Sequence, residues 1–568
     1  MNNTENPNNC CNLECCMCKK IFMALLILFS TTSLVACKNG AQVKAELTDF
    51  EHESYIGLYG ASTNLLTKYI GTHKSFKVPS GVAITRETFS FNEDIEMIVL
   101  QDVVIPAYAF EGCTNLRVVK AKNCSIGEYA FKGCVNLEEV HFNLNTVESN
   151  AFLDCHKLKR VVKFGSSAYG TFAKDDSYFY SYTSTYGSTG NVILGINSIP
   201  MDEEVYKINS YAYYGRDLLK NVTISSTIKE IGTNAFGATR NLERISVDKA
   251  NKTLDSRDNS NAIIETNTNT LLVGCKNTII PSDIQSIAAN AFVECDVTGV
   301  NIPTGVKSIS NQAYVGCTGI SNISVSVNNV TFDSRENCNA IIETNTNKLV
   351  LACNTTVLPS SVTTIGSYAY ANSSLETLVI PNTVTTLEDY AFANMKNLKS
   401  ITIPASITSL NDTMFEGCDN LETINIESGN PKYDSRANSN AIIETETDKL
   451  VYAIKTTTIP NSIKIIGAHA FEGHTNLTKI EIPESVTVIE DYAFADCSNV
   501  TSITIPDSIT TIGEGAFMNL NKIEALKIPN SVTGLGDYAF SGCSSLTSIT
   551  IPDSVTSIGG SAFSGCDS

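Results

Sequence analysis

Apolar and polar positions near the end of the chain follow one recurring pattern. The stretch SLTSITIPDSVTSIGGSAFSGC from Ser545 repeats the spacing of NVTSITIPDSITTIGEGAFMNL from Asn499, two copies earlier. The aromatic of the Ala-Phe pair fixes the register: Phe471, Phe494, Phe517, Phe540 and Phe563 lie 23 residues apart. Earlier members are Phe89, Phe110, Phe131 and Phe152 at a spacing of 21, then Tyr213, Phe236, Phe292, Tyr314, Tyr370, Phe392 and Phe415. These sixteen copies have the periodicity of leucine-rich repeats, with L-x-x-I-x-I (Leu546, Ile549, Ile551) in place of L-x-x-L-x-L.

Each copy predicts one coil. LTSITIP alternates and is rich in β-branched residues, so it predicts a short strand, and Pro552 ends the ladder because it has no N–H to donate. In SVTSIGGSAF the chain turns back, with Val555, Ile558, Ala562 and Phe563 expected to point inward and Gly559 to permit a tight bend. A lone coil buries too little apolar surface to order itself, so the copies must stack. The predicted fold is a β-rich solenoid, a leucine-rich repeat array of about 16 coils.

Three copies are enlarged to 56 residues, from Phe236 to Phe292, Tyr314 to Tyr370 and Phe415 to Phe471. Each contains a similar insert, beginning DSRDNSNAIIE at Asp255, DSRENCNAIIE at Asp333 and DSRANSNAIIE at Asp434. Two apolar runs flank a polar turn, which predicts a β-hairpin in each. A different, irregular insertion lies between Phe152 and Tyr213, where residues 164 to 190 are rich in Tyr, Ser and Gly.

The pattern L-x-x-I-x-I-P-x-S-V-T-x-I-G-x-x-A-F-x-x-C, with its enlarged copies, resembles the BspA-like leucine-rich repeat family of bacterial surface proteins over roughly residues 76 to 568. The resemblance implies surface display and adhesion to extracellular matrix proteins, or to host or microbial surface proteins or glycans. It carries no single functional residue over.

The N-terminus changes the setting. Lys19 and Lys20 precede an apolar run from Ile21 to Phe29, too short to span a bilayer comfortably, and the sequence Leu34-Val35-Ala36-Cys37 follows. This resembles a lipoprotein signal peptide: residues 1 to 36 would be removed, and Cys37 would carry the lipid holding the chain to a membrane. Met17 offers an alternative start, since residues 1 to 16 are polar and lack Lys and Arg. Residues 37 to 75 then serve as tether and N-terminal cap, and 76 to 568 as the solenoid.

Hydrophobic content of 43% with a mean hydropathy of +0.01 fits a folded, water-soluble chain, and a net charge of −19 disfavours nucleic acid as a partner. Nineteen cysteines suggest disulfides, but the repeat argues otherwise. Nine sit three residues after the aromatic, and the same slot also holds Met395, His474 and Leu520. That interchange fits small buried hydrophobes better than a disulfide ladder. In the first insert Asp255, Asp258, Asn259 and Asn261 have the oxygen spacing of a calcium site, yet Ala437 replaces Asp258 in the third copy, which favours turn formation. No metal or cofactor is expected.

No GxSxG, HExxH or GxxxxGK motif occurs, and neither His469 nor His474 has a visible nucleophile and orienting acid. No catalytic residue is assigned. The candidate ligand-binding residues are Tyr169, Tyr178, Tyr180, Tyr182 and Tyr186, whose setting among Ser, Thr and Gly has the composition of a paratope, although a self-packed loop would look the same. The polar rows Thr501, Ser502, Thr504 and Thr547, Ser548, Thr550 form a second candidate surface. The function expected is an adhesin or binding module, with a structural spacer or a hydrolase using the insertion as alternatives.

Overall fold

The computed structural model describes residues 43–56, 62–143, 146–148, 150–163, 171–172, 178–183, 189–199, 205–411 and 413–566. Each regular copy contributes two short strands. The L-x-x-I-x-I segments pair parallel with their neighbours, as Lys479–Glu481 does with Ser502–Thr504. A second ladder runs through T-x-I-G, where Ile465–Ile466, Val488–Ile489, Thr511–Ile512, Gly534–Leu535 and Ser557–Ile558 stack parallel in order. The chain is therefore a β-solenoid of leucine-rich repeats whose axis crosses its strands.

The repeating aromatics form the spine of the core. Rings of Phe471, Phe494, Phe517, Phe540 and Phe563 follow one another at centroid distances of 4.9, 5.6, 5.4 and 5.6 Å. Phe89, Phe110, Phe131 and Phe152 stack likewise at 4.8, 4.9 and 5.2 Å. Offset stacking adds to the burial of each ring, and along the column each ring stacks on the ring before it and the ring after it.

The cysteine slot has its own rule. Cys497 donates its S–H to the carbonyl of Phe471 at 3.0 Å, Cys543 to Phe517 at 3.3 Å and Cys113 to Phe89 at 3.0 Å, so a thiol satisfies the aromatic carbonyl of the preceding coil. The thirteen described cysteines are free and all but Cys566 are buried. Burial pushes the Cys497 and Cys543 thiols up to about 12, keeping the proton that makes the bond.

The turn expected at Gly559 is built differently. A Cβ there would lie 2.4 Å from the Asp537 amide nitrogen, so glycine serves close approach of successive coils. Left-handed backbone instead occurs two residues before the aromatic, at Tyr492 (φ 54°) and Tyr538 (φ 56°). Ile558, expected inside, is 51% exposed, because no described coil covers it.

The enlarged copies extend one ladder and interrupt the other. Ala262–Glu265 pairs antiparallel with Leu254–Asp255 and Thr270–Gly274, and the last of these runs parallel to Ser286–Ile287. Ile341–Glu343 with Lys348–Leu351, and Ile442–Glu444 with Lys449–Tyr452, repeat the arrangement. The insert strands thus extend the T-x-I-G ladder. The L-x-x-I-x-I ladder has no strand pairing across them: Arg244–Val247 does not pair with Gly299–Ile302, nor Asn322–Val325 with Thr377–Val379, nor Thr423–Ile426 with Lys479–Glu481.

At the N-terminal side, Phe50–Ile56 pairs antiparallel with Ser62–Tyr69, which runs parallel to Val82–Ile84. Val43–Lys44 extends the first ladder through Ser75–Lys77. Tyr69 stacks on Phe76 at 4.6 Å, and Phe50 meets Phe89 edge-on at 6.0 Å, so aromatic packing continues into this region. No described helix is long and apolar enough to cross a membrane.

Candidate functional site

Three surfaces differ from the plain coil: the insertion before Tyr213, the enlarged copies, and the outward rows of the strands. Cys37, Tyr169 and Tyr186 lie outside the described residues. Tyr178, Tyr180 and Tyr182 lie in the strand Tyr178–Thr183, which pairs antiparallel with Thr171–Phe172 and Thr189–Gly195. The segment read as irregular therefore carries strands, and Thr189–Gly195 runs parallel to Val205–Ile208, tying it to the solenoid's second ladder.

Arg216 fixes the base of this insertion. It occupies the cysteine slot three residues after Tyr213 and is 2% exposed. Its Nε donates to the Gly195 carbonyl at 3.1 Å, and its two terminal nitrogens donate to the carbonyls of Cys155 at 3.1 Å and Phe152 at 3.3 Å. One guanidinium thus bonds the last coil before the insertion and the end of the insertion, replacing the backbone bonds that an intervening coil would supply. Desolvation lowers the Arg216 pKa, and burial raises that of the nearby Asp154 carboxyl. His156 Nδ1 lies 3.1 Å from the Gly215 carbonyl, a further link across the insertion. Sequence reasoning missed Arg216, although its signal was an arginine in a slot held in most copies by cysteine.

The enlarged copies are closed by two polar devices. Asn251 donates from Nδ2 to the carbonyls of Ser225 and Ile228 at 2.9 and 2.7 Å, and its Oδ1 accepts from the amides of Thr253 and Leu254. Asn329 and Asn430 repeat all four bonds. The Asp-Ser-Arg motif is a clasp: Arg257 bonds Asp255, Asn269 and Asp283, and Arg436 bonds Asp434 and Asp448. Burial pushes the Asp255 carboxyl up, but the hydrogen bonds from Arg257 outweigh it and hold the pKa below the ordinary value. Asp333 behaves in the same way beside Arg335.

This occupation accounts for the oxygen-rich spacing noted in the sequence. Asp255 is committed to Arg257, whereas Asp258, Asn259 and Asn261 take left-handed φ values of 55°, 53° and 51°. Ala437 adopts φ 57° at the position of Asp258. The run shapes a turn that Asn and Asp tolerate better than most residues. Among the described residues, no group of three or more His, Cys, Asp or Glu could hold a metal ion.

A cavity of about 370 Å³ opens where the third enlarged copy meets the next coil, lined in part by Cys418, His469, Glu472 and His474. His474, in the cysteine slot, places Nε2 3.0 Å from the Ala453 carbonyl, as a thiol would, and Nδ1 of His469 lies 2.6 Å from Glu472. Cys418 donates to the Phe392 carbonyl at 3.1 Å, and burial pushes its thiol up to about 12. A thiol held protonated in the core is a poor nucleophile. The outward strand residues Thr501, Ser502, Thr504, Thr547, Ser548 and Thr550 are all exposed.

Among curated proteins, none matches this chain. Solved structures do. A leucine rich cell surface protein from Faecalibacterium prausnitzii A2-165 is 24% identical, over 71% of this chain and 94% of that one, with a TM-score of 0.36. A leucine-rich repeat protein from Eubacterium ventriosum ATCC 27560 is 19% identical over 71% and 95%, with a TM-score of 0.32. The pneumococcal vaccine antigen PcpA is 18% identical over 70% and 87%, with a TM-score of 0.30. The family described as BspA type Leucine rich repeat region (6 copies) matches residues 73–173, 191–261, 257–351, 341–447 and 442–568. The stacked aromatics, the parallel ladders and a match over most of the length agree: this chain belongs to the BspA-type leucine-rich repeat family.

Proposed function

We propose that this protein is a surface-displayed binding module, an adhesin that recognises matrix proteins, host or microbial surface proteins, or glycans without a catalytic step. The observation that carries this reading is the insertion before Tyr213, a tyrosine-bearing strand unit whose base is held by the buried Arg216. A rigid base under an aromatic segment favours binding, because less disorder is lost on contact. Tyr169, Tyr178, Tyr180, Tyr182 and Tyr186 are the proposed contact residues. Of about sixteen coils, those of Phe89, Phe110, Phe131 and Phe152 set the insertion off from the membrane, and the rest, three of them enlarged by hairpins, continue beyond it. A lipid on Cys37, after removal of residues 1 to 36, anchors the chain to the cell surface or outer membrane. Residues 37 to 75 form tether and cap.

The exposed Thr and Ser rows favour a second reading, a structural spacer, since such residues suit exposed strands whether or not anything binds them. Deleting residues 164 to 190 separates the two. On matrix-protein and glycan arrays the full chain is expected to bind and the deletion variant to lose that binding while keeping its thermal transition. Equal binding by both removes the insertion from the site, and binding by neither favours the spacer.

A further inference from the structure

The gaps in the L-x-x-I-x-I ladder have a chemistry of their own. In each enlarged copy the extended stretch before proline, at Pro281, Pro359 and Pro460, makes no strand pairing. It is held to its own insert instead. The Ile279 amide donates to the Ser260 carbonyl at 2.9 Å, the Val357 amide to Cys338 at 3.1 Å and the Thr458 amide to Ser439 at 3.0 Å. Threonine side chains reinforce this, with Thr278 Oγ1 donating to Asn261 at 2.6 Å and Thr457 Oγ1 to Asn440 at 2.7 Å.

That commitment leaves the next coil with an open strand. Among the described residues, Gly299–Ile302 pairs only with Asn322–Val325, Thr377–Val379 only with Ser400–Ile403, and Lys479–Glu481 only with Ser502–Thr504. Between pinned stretch and open strand lie grooves of about 350 Å³ at the first copy and about 540 Å³ at the third. The ladder also lapses between Ser502–Thr504 and Ala525–Lys527, but there the coils are regular and no extended stretch is drawn away.

The side chains bordering the gaps are unusually apolar for a surface. Ile279 is 70% exposed at the first, and Val357 and Val379 are 74% and 67% exposed at the second. An unpaired strand edge presents alternating N–H and C=O groups, which an extended polypeptide complements along its whole length and a sugar does not. The first groove is bordered by the uncharged Asn301, Asn322 and Ser324, and the third by Lys479 and Glu481, of opposite sign. Neither groove therefore selects a charged ligand. The strands already paired with these three show what such an edge accepts: Asn322–Val325, Ser400–Ile403 and Ser502–Thr504 are parallel strands of β-branched and polar residues.

We propose that the three gaps are strand-addition sites, each accepting one extended, uncharged, β-branched peptide segment of a partner protein along the open edge. This surface is separate from the tyrosine insertion, so either can fail without the other.

The test uses the full chain and a synthetic peptide of sequence NVTSITIP, residues 499–506, which contain the strand Ser502–Thr504. Fluorescence anisotropy is expected to show saturable binding with up to three peptides per chain. N-methylation of alternate peptide amides is expected to weaken binding at least 10-fold, because it removes the N–H groups that pair with the edge. Val357→Lys combined with Val379→Lys, both at exposed positions, is expected to remove one site and leave the thermal transition in place. Binding that survives N-methylation, a stoichiometry unchanged by the lysines, or no binding at 1 mM peptide would overturn the proposal. Sedimentation that instead shows the chain self-associating, in a manner abolished by the same lysines, overturns the choice of partner in favour of a second copy.

Discussion

The coils from Phe471 to Phe563 and the stretch from Tyr213 to Phe471 reach closure by different means. In the first, every coil has the same length, so each ring finds a ring and each thiol a carbonyl in the coil before it. In the second, coils of 22 or 23 residues alternate with coils of 56, and a neighbour no longer presents matching groups everywhere. Single polar side chains fill that role. Asn251, Asn329 and Asn430 each join two carbonyls and two amides, and Arg216 does comparable work before the first of them. Uniform repetition lets backbone satisfy backbone, whereas interruption requires a side chain with the donors and acceptors of a missing backbone segment.

The largest effect that would break this contrast is expected from Phe494→Ala in the uniform run. Losing one ring from a close-packed column costs about 3–5 kcal/mol. Hydrogen exchange is expected to show lost protection concentrated in coils 471 to 540, leaving the amides around Asn251 protected. Protection lost evenly along the chain would contradict nearest-neighbour stacking.

A smaller effect is expected from Asn430→Leu. The change leaves two carbonyls and two amides without partners in a half-buried turn, at a cost of about 1–3 kcal/mol for an unmade bond. Limited proteolysis is expected to cut the third enlarged copy first, with the Phe494 column intact. If Asn430→Leu proves as stable as the parent, the asparagines are incidental.

The mildest perturbation is pH, which separates the two regions on the acid side, whereas buried thiols such as Cys418 and Cys497 weaken both in alkali. Asp255 and Asp333 have folded pKa values below the ordinary range, so their contribution is present above about pH 4, the usual carboxylate value, and is lost as pH falls through the folded value. Acid is thus expected to loosen the clasped copies first. Cys497 and Cys543 titrate at about 12 when folded against about 8.5 for a free thiol. Their contribution is complete below about pH 8.5 and declines as pH rises toward 12, because the unfolded chain then releases protons that the folded chain keeps. Thermal melts followed by region-resolved hydrogen exchange at pH 3, 7 and 10 check both directions.

Much of this fold is legible in the spacing of Phe471, Phe494, Phe517, Phe540 and Phe563, because one period carries both register and burial. The cysteine slot is legible for a related reason: Met395 and Leu520 show that it tolerates apolar groups. Other features depend on tertiary contacts that the pattern does not encode. T-x-I-G reads as a bend, yet its two-residue strands exist only because an identical segment lies alongside. Tyr492 and Tyr538 take a left-handed conformation that their residue type disfavours, with Tyr492 stacked on His469 at 5.3 Å. Arg216 puts a charge where most copies have cysteine, and its meaning appears only when the carbonyls of Phe152 and Gly195 converge on it. Of the five candidate tyrosines, three are placed in a strand, while Tyr169, Tyr186 and Cys37 lie outside the described residues.

Because each ring in the column stacks on the rings before and after it, a force applied along the solenoid axis would meet resistance one coil at a time. Peeling off a regular coil would release 23 residues, about 80 Å of extended chain, and an enlarged one 56 residues, about 190 Å. A solenoid built this way yields in steps of two sizes, lengthening under a sudden pull instead of failing at once.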